Sequence, residues 1–312
     1  MNNIPIVIPS YKNREGNILK DLNDKKYFAD RQVIVYVYKA EEDLYKQYNN
    51  LEIRTIDADW RSIVKKRHYI YEDIKNNYPE VDYFWWSDDD VNMDKIKHKT
   101  GFKGEELIDA DKFLEIIESQ FDPEKDAMIG AARTSLAYRF SDGGKGYSDH
   151  TSVVCRVLMN MKLLRNTTIT YEDNDLHNED VDFCLQCLAA GYQVKSVNTV
   201  YPDDKLGKNS VASSCYKDVM RNLFLYKKWG EVFNISAPGK SLFAKMPKSH
   251  MHHTRIKKDI YYDKNLIPLI DAYLNDASPE NEDNLYKYLH ENEKRKDAEY
   301  ILKNEYDNKG TN

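Results

Sequence analysis

Residues 81–91 read Val81-Asp-Tyr-Phe-Trp-Trp-Ser-Asp-Asp-Asp-Val91, a mostly aromatic run that leads directly into three carboxylates. Such a run predicts a buried strand. Three adjacent carboxylates would repel one another in a partly buried place, and a divalent cation is the simplest way to hold them there. Alternate residues, Asp88 and Asp90, supply hard oxygen ligands of the kind that Mg²⁺ or Mn²⁺ accepts beside phosphates. The alternative interpretation is a solvated acidic turn after an edge strand.

Strands and helices alternate along the chain around this acidic strand. The predicted strands before it are 4–8, 32–38 and 51–56, and the predicted helices are 15–25, 41–49 and 60–77. This alternation is typical of a mostly parallel α/β sheet with crossover helices on its faces. Ligands of such sheets usually bind at the carboxyl ends of the strands, which is where the three carboxylates lie.

The second half of the chain continues the pattern and then becomes helical. The predicted elements are a helix at 110–121 capped by Asp109, strands at 127–131, 152–161 and 193–200, and a helix at 176–191 ending at Gly191. The sequence predicts a long loop at 133–150, and a loop of this length in a compact domain is often functional. A basic helix at 215–229 and charged helices at 264–305 follow. We expect one α/β domain over 1–255 and a helical extension over 256–312 with a disordered tail.

Composition excludes some classes of protein and only weighs against others. The 312 residues are 41% hydrophobic, which is enough for a substantial core, and the formal net charge is −6. An acidic chain argues mildly against a protein that coats nucleic acid, although a local basic groove remains compatible with it. The four cysteines lack paired metal-site spacing, so we expect them to be reduced. With neither a signal peptide nor an apolar run near 18 residues, we expect a cytoplasmic protein without a membrane span.

Two basic motifs lie before the acidic strand. Pro9-Ser-Tyr-Lys-Asn-Arg14 follows the first strand, where Tyr11 could stack on a nucleotide base and Arg14 could reach a phosphate. The helix at 60–77 carries Arg61, Lys65 and His68 on one face with Arg67 close by, and one such arginine would satisfy a diphosphate. The alternatives are an ordinary Pro-Ser turn and a solvated basic helix face.

Two further clusters lie later in the chain. Asn178-Glu179-Asp180 opens a helix, where the helix dipole stabilises carboxylates and where one of them could act as a general base. His250-Met-His252-His253 concentrates three of the eight histidines, and one of them could complete a metal shell that Asp90 begins. The alternatives are an acidic first helical turn and a surface histidine cluster.

Taken in order, these motifs resemble those of a GT-A glycosyltransferase over residues 4–255. Asp88-Asp89-Asp90 resembles the DxD metal motif, Asn178-Glu179-Asp180 resembles the xED motif, and a late histidine resembles the last metal ligand. Within that fold the chain most resembles the TET-associated glycosyltransferases, which occur in phages and include the base J enzyme. The residues that carry this resemblance are Ile8-Pro-Ser-Tyr-Lys12, Trp86-Ser-Asp-Asp-Asp90 and Lys227-Lys-Trp-Gly230, together with the Arg-bearing helix.

The resemblance implies transfer of a sugar from a nucleotide-sugar to a hydroxymethylated pyrimidine in phage-type DNA. The nucleotide that the family suggests is uridine diphosphate. It implies an inverting mechanism with Asp180 as the base beside Glu179. The donor contacts would be Pro9, Tyr11, Arg14, Arg61, Arg67, Asp88 and Asp89. The ligands of Mn²⁺ or Mg²⁺ would be Asp90, Asp88, His252 and His253. The DNA contacts would be Arg133, Arg139 and Lys145 in the long loop and Lys227 and Lys228 in the basic helix.

Three other functions use the same motifs. A GT-A transferase acting on a polysaccharide or protein would differ only in its acceptor region. A non-catalytic module would bind nucleotide with metal but would not hydrolyse the donor. A metal-dependent phosphohydrolase or nuclease would hold two metals in its acidic clusters and would need no sugar donor.

Overall fold

The computed structural model describes most of the chain up to residue 202 and shorter stretches beyond it. The described residues are 4–12, 18–58, 62–90, 93–100, 104–131, 147–149, 156–172, 179–202, 225, 228–229, 233–237, 240–241, 252–255, 265–276 and 278–292. The chain divides into two compact units, Met1–Asn209 and Ser210–Asn312. The boundary predicted after residue 255 falls inside the second unit and stays a prediction.

An eight-stranded sheet forms the centre of the first unit, in the order β3-β2-β1-β4-β9-β7-β10-β8. Its strands are β1 (Ile6–Pro9), β2 (Val33–Tyr38), β3 (Glu52–Ile56), β4 (Tyr83–Ser87), β7 (Asp126–Ala131), β8 (Tyr147–Asp149), β9 (Arg156–Asn160) and β10 (Gln193–Val197). Strands β3, β2, β1 and β4 are parallel neighbours. Strand β9 runs antiparallel between β4 and β7, and β10 is parallel to β7. The mostly parallel sheet predicted from the sequence is therefore confirmed.

Helices cover both faces of this sheet because its strands are apolar on both sides. They are α1 (Leu19–Asn23), α2 (Ile63–Asn77), α3 (Ala110–Glu118), α4 (Met161–Leu164) and α5 (Glu179–Ala189), and a 3₁₀ helix spans Lys39–Tyr45. Successive residues of a strand point to opposite faces. Trp85 accordingly packs in the core formed with α1 and α3, and Trp86 packs in the core formed with α2 and α5. This two-sided burial fixes β4, and with it the place where the acidic turn begins.

Several features of the structure differ from the prediction, and one of them is that β8 lies within the loop predicted at 133–150. A small antiparallel sheet of β5 (Ile96–Lys99), β6 (Glu105–Ile108) and β11 (Val200–Pro202) was not predicted, because its strands are short and largely polar. The strand predicted at 193–200 ends at Val197, and the chain then enters β11 in the small sheet. The helix predicted at 41–49 is the shorter 3₁₀ helix. Asp109 caps α3 as expected, since its carboxylate accepts a hydrogen bond from the Lys112 amide at 2.7 Å.

The second unit contains a small sheet and helices. Strands β12 (Phe233–Ala237), β13 (Lys240–Ser241) and β14 (His252–Arg255) pair in the order β13-β12-β14. Helix α6 spans Leu266–Asn275, and a helix that we call α7 spans 279–292. Leu266, Ile270, Leu285 and Leu289 are buried along these two helices. In the parts of the chain that the structure describes, no helix has the length and apolarity that a membrane span requires.

Candidate active site

The carboxyl end of β1 is tied to the acidic turn by buried hydrogen bonds. The Ser10 hydroxyl donates to Asp89 Oδ2 at 2.6 Å, and its oxygen lies 2.9 Å from the Tyr45 hydroxyl. Ser10 and Asp89 are 1% and 3% exposed. The Asp89 carbonyl also accepts a hydrogen bond from the Ile18 amide at 2.9 Å, just before α1. Asp89 therefore faces the protein interior and fixes the turns that follow β4 and β1 against each other.

The three carboxylates of the acidic turn have different surroundings. Asp89 is buried, the Asp88 side chain is 21% exposed, and Asp90 is exposed. The middle carboxylate thus holds the turn in place, while its two neighbours are more accessible to solvent. The two accessible carboxylates are the alternate pair that the sequence analysis predicted as metal ligands, and that role stays a prediction.

Arg67 on α2 joins the acidic turn to the start of α5. Its Nη2 donates to Asp88 Oδ1 at 2.7 Å, and its Nη1 donates to Glu179 Oε1 at 2.6 Å. The Arg67 side chain is 11% exposed and its guanidinium lies 5.9 Å from the Trp86 ring centroid. Three segments that are distant in sequence therefore meet in one place. The acidic turn and the helix start, which the sequence analysis assigned to one site, lie together.

The two carboxylates at the start of α5 are not equivalent. The Glu179 side chain is 6% exposed, and burial raises its pKa although the Arg67 guanidinium opposes that shift. Asp180 is less buried, and its Oδ1 accepts a hydrogen bond from the Val181 amide at 2.8 Å. A carboxylate at a helix N-terminus is stabilised by the helix dipole. Glu179 is thus committed to an internal ion pair, and Asp180 has the greater access to a ligand.

A family model described as TET-associated glycosyltransferase matches residues 4–207 of this chain. The match covers well over half of the chain and includes the acidic turn, Arg67 and the start of α5. The chain belongs to the TET-associated glycosyltransferase family. The protein is therefore a glycosyltransferase, and its sheet, with one antiparallel strand inserted beside β4, is that of the GT-A fold. Family membership favours this activity over the binding-module and phosphohydrolase interpretations.

Two solved structures are distantly similar to this TET-associated glycosyltransferase. Two structures of S. aureus TarS, residues 1–349, one of them in complex with UDP, each share 12% identity with the chain. Their TM-scores are 0.42 and 0.41, and in each pair the match covers 74% of this chain and 72% of TarS. At this level of likeness neither structure bears on function. No curated protein sequence matches the chain significantly.

Lys66 is a buried residue of this glycosyltransferase site that the sequence analysis did not single out. It is 2% exposed, its ammonium donates a hydrogen bond to the Ser10 carbonyl, and it lies 4.2 Å from the Tyr38 ring centroid. Burial lowers its pKa to about 8, although the Glu41 and Asp89 carboxylates oppose the shift. Its position could have been found from the helical spacing, because Lys66 falls four residues before Ile70 on the apolar face of α2.

The lowered pKa of Lys66 predicts a pH-dependent stability. Between pH of about 8 and 10.5 the unfolded chain binds a proton that the folded protein has released. Stability of the wild type relative to Lys66→Met should therefore rise with pH in this window, by up to about 1.4 kcal/mol per pH unit. Urea denaturation of both proteins from pH 7 to 10 measures the difference. A constant difference would contradict the prediction, and Lys162→Met, which removes a 55% exposed lysine, is the control.

The turn after β1 places Tyr11 and Lys12 at the carboxyl edge of the sheet. Tyr11 lies against Tyr38 with ring centroids 6.2 Å apart and an interplanar angle of 83°. Lys12 adopts a left-handed φ of 57°, and its amide donates to Glu41 Oε2 at 3.0 Å. Pro9 is the last residue of β1 and is buried. An aromatic ring at the carboxyl edge of the sheet can stack on a base.

The remaining predicted site residues are either outside the described residues or in the second unit. Arg14, Arg61, Arg133, Arg139, Lys145 and Lys227 are outside the described residues. Lys228 is exposed in the second unit, with its ammonium 5.6 Å from the Trp229 ring centroid. His252 and His253 lie on β14, also in the second unit, where they pair with Phe233 and Asn234. Their predicted roles stay predictions.

The described residues of the site fit a hard divalent cation by their chemistry, although they do not form a complete shell. Asp88 and Asp90 offer carboxylate oxygens, and Mg²⁺ is commonly held by one or two carboxylates together with substrate phosphates. Within the described ranges no group of three or more His, Cys, Asp or Glu residues is placed to hold a metal ion. Further ligands would come from a bound donor or from residues outside these ranges.

Proposed function

We propose that this glycosyltransferase transfers a sugar from a nucleotide-sugar to a hydroxymethylated pyrimidine base in DNA, with inversion at the anomeric carbon. The observation that carries the proposal is the Asp88–Arg67–Glu179 bridge, which brings the donor-side acidic turn beside the carboxylates of α5. A donor bound at the acidic turn would then present its anomeric carbon near a candidate base. Membership of the TET-associated family supports DNA as the acceptor.

On the donor side, the turn after β1 would hold the nucleoside and the acidic turn would hold the diphosphate. Tyr11 would stack on the base, which we propose to be uracil. Asp88 would contact the donor ribose or share the metal with Asp90. Asp89 would act through the turn that it fixes, since its carboxylate already accepts the Ser10 hydrogen bond. Arg14 and Arg61 would add positive charge for the phosphates.

On the acceptor side, Asp180 would take the proton from the hydroxymethyl group. The hydroxyl oxygen forms a bond to the anomeric carbon, the bond from that carbon to the phosphate oxygen breaks, and the nucleoside diphosphate leaves. Asp180 suits the role of base better than Glu179, because Glu179 is buried and ion-paired to Arg67. Attack from the face opposite the leaving group explains inversion.

A divalent cation, Mn²⁺ or Mg²⁺, would be held by Asp90 and Asp88 together with oxygens of the donor phosphates. When bound, such an ion supplies positive charge that stabilises the leaving diphosphate. The protein would position these carboxylates by placing them at the end of a strand that is held in the core. The short apolar strand β4 does this, because all residues from Phe84 to Ser87 are buried.

A base inside duplex DNA is hidden by stacking, so the acceptor would be flipped out or presented in a single strand. Arg133, Arg139 and Lys145, with Lys227 and Lys228, would contact phosphates. Binding through phosphate contacts weakens steeply with salt. We therefore expect the affinity for hydroxymethylated DNA to fall at least tenfold between 50 and 200 mM salt.

Mass spectrometry of DNA incubated with the enzyme, Mn²⁺ and a panel of nucleotide-sugars tests this function. The expected result is a hexose or pentose mass added to nucleosides from hydroxymethylated DNA and none added to unmodified DNA. An unchanged nucleoside profile with every donor, together with flat salt dependence of DNA binding, would contradict a DNA acceptor.

A polysaccharide or protein acceptor is the second candidate, and the net charge of −6 favours it. An acidic protein is repelled by DNA phosphates unless basic residues are concentrated locally. The same donor panel offered with oligosaccharides or a protein extract separates the two candidates, because the donor-side residues would be shared. Sugar transfer to these acceptors but not to DNA would establish the second candidate.

A further inference from the structure

The guanidinium of Arg67 is already paired with carboxylates, unlike that of an arginine whose donors are available to bind a phosphate. Each of its two terminal nitrogens already donates to a different carboxylate, at 2.6 and 2.7 Å. Its Nε is buried and has no hydrogen-bond partner among the residues that the structure describes. A guanidinium is planar, and its donors have a fixed geometry. The position of one carboxylate therefore constrains the position of the other.

The ion pairs of Arg67 connect the two halves of the proposed site. Asp88 belongs to the turn after β4, and Glu179 opens α5, 91 residues later. Side-chain exposures of 11% for Arg67 and 6% for Glu179 keep solvent from screening this pair. Without the Arg67 guanidinium between them, the carboxylates of Asp88 and Glu179 would repel each other. Breaking a buried pair by removing one partner leaves an uncompensated charge, which is strongly unfavourable.

We infer that Arg67 is a positioning residue for the catalytic carboxylate, a role different from direct binding of the donor diphosphate. By holding Glu179, Arg67 fixes the first turn of α5, and Asp180 is the next residue in that turn. By holding Asp88, it also fixes the spacing between the donor-side turn and the base. This inference rests on the proposed function for the role of Asp180, whereas the bridge itself is a property of the fold.

The test compares Arg67→Lys with Arg31→Lys in steady-state kinetics. Lysine keeps the charge but is a compact donor that cannot hold two carboxylates in a fixed fork. Arg31 is a matched control, because its side chain is also 11% exposed and pairs with Glu118 at 2.8 Å. We expect Arg67→Lys to lower kcat at least tenfold with the donor KM changed less than about threefold, and Arg31→Lys to change neither.

The opposite kinetic result would overturn the inference. A donor that binds Arg67 directly predicts that Arg67→Lys raises the donor KM, or the Kd of UDP with Mn²⁺, tenfold or more while kcat is kept. Thermal unfolding of both lysine variants checks that each protein is folded before its kinetics are compared. Arg67→Met serves as a second variant without the charge, and it should lower kcat further.

A double-mutant cycle separates this inference from the proposed function. Asp88→Asn and Glu179→Gln are combined in the wild type and in Arg67→Met, and unfolding by urea is measured without donor or acceptor. We expect the two substitutions to be coupled by about tenfold in the folding equilibrium constant when Arg67 is present. We expect the size of this coupling to change when Arg67 is replaced by Met. Additive effects in both backgrounds would overturn the bridge. Absence of transfer to DNA by the wild type would contradict only the proposed acceptor.

Discussion

Asp180→Asn is expected to reduce sugar transfer by about 10²- to 10⁴-fold, the range that a general base contributes. Asparagine has nearly the same shape but cannot accept the proton of the acceptor hydroxyl. The Asp180 side chain can also keep its hydrogen bond from the Val181 amide, because the asparagine oxygen accepts it equally well. The loss should therefore appear in kcat, with donor affinity retained. Initial rates at saturating donor measure it.

Two further variants make the Asp180 result specific. Asp43→Asn is the same change at an exposed carboxylate of the first unit, 85% accessible, and it should leave the rate unchanged. Glu179→Gln keeps an oxygen that can accept from Arg67, so its effect should be smaller than that of Asp180→Asn. If Glu179→Gln abolishes transfer while Asp180→Asn retains it, the base is Glu179 and the assignment made above is wrong.

Asp90→Ala is expected to lower transfer by about 10²- to 10³-fold at a fixed Mn²⁺ concentration. A cation that stabilises a leaving phosphate contributes several kcal/mol, which corresponds to a rate factor of this size. Asp90 is exposed at the tip of the acidic turn, so its removal leaves no cavity in the core. Mn²⁺ titrations of activity, started from protein treated with chelator, measure both the rate and the apparent metal affinity.

Asp94→Ala is the matched control for the Asp90 variant. Asp94 lies four residues further along the chain, is 57% exposed, and pairs with Lys26 at 2.7 Å. We expect its activity and Mn²⁺ dependence to match those of the wild type. Full activity of chelated wild-type protein without added metal would contradict metal dependence, and equal Mn²⁺ responses of the two variants would remove Asp90 as a ligand.

The central sheet could be predicted from the sequence because its strands are short apolar runs separated by amphipathic helices. Because β2 and β4 are buried on both faces, each is an unbroken run of mostly apolar residues. Such a run can be recognised in the sequence without knowing which strands lie beside it. The small sheet of β5, β6 and β11 gives no such signal. Lys97, His98 and Glu106 look like loop residues, and only pairing with distant strands makes them part of a sheet.

The sequence predicted that the acidic turn and the start of α5 belong together, but it did not predict the contacts between them. The types and order of the residues indicated acidic groups at two element ends, but no pattern could show that Arg67 bridges Asp88 and Glu179. Nor could it show that Asp89 turns inward to Ser10, because that depends on how β1 and β4 pair. Long-range side-chain contacts depend on tertiary packing, which the periodicity of the sequence does not predict.

Crystals of the protein grown with UDP and Mn²⁺, measured at the manganese absorption edge, test most directly whether the acidic turn and the start of α5 form one site. We expect an anomalous peak beside Asp90, with the diphosphate on the side of the turn that faces Glu179 and Asp180. Manganese and nucleotide bound together at a place remote from the Asp88–Arg67–Glu179 bridge would contradict a shared site.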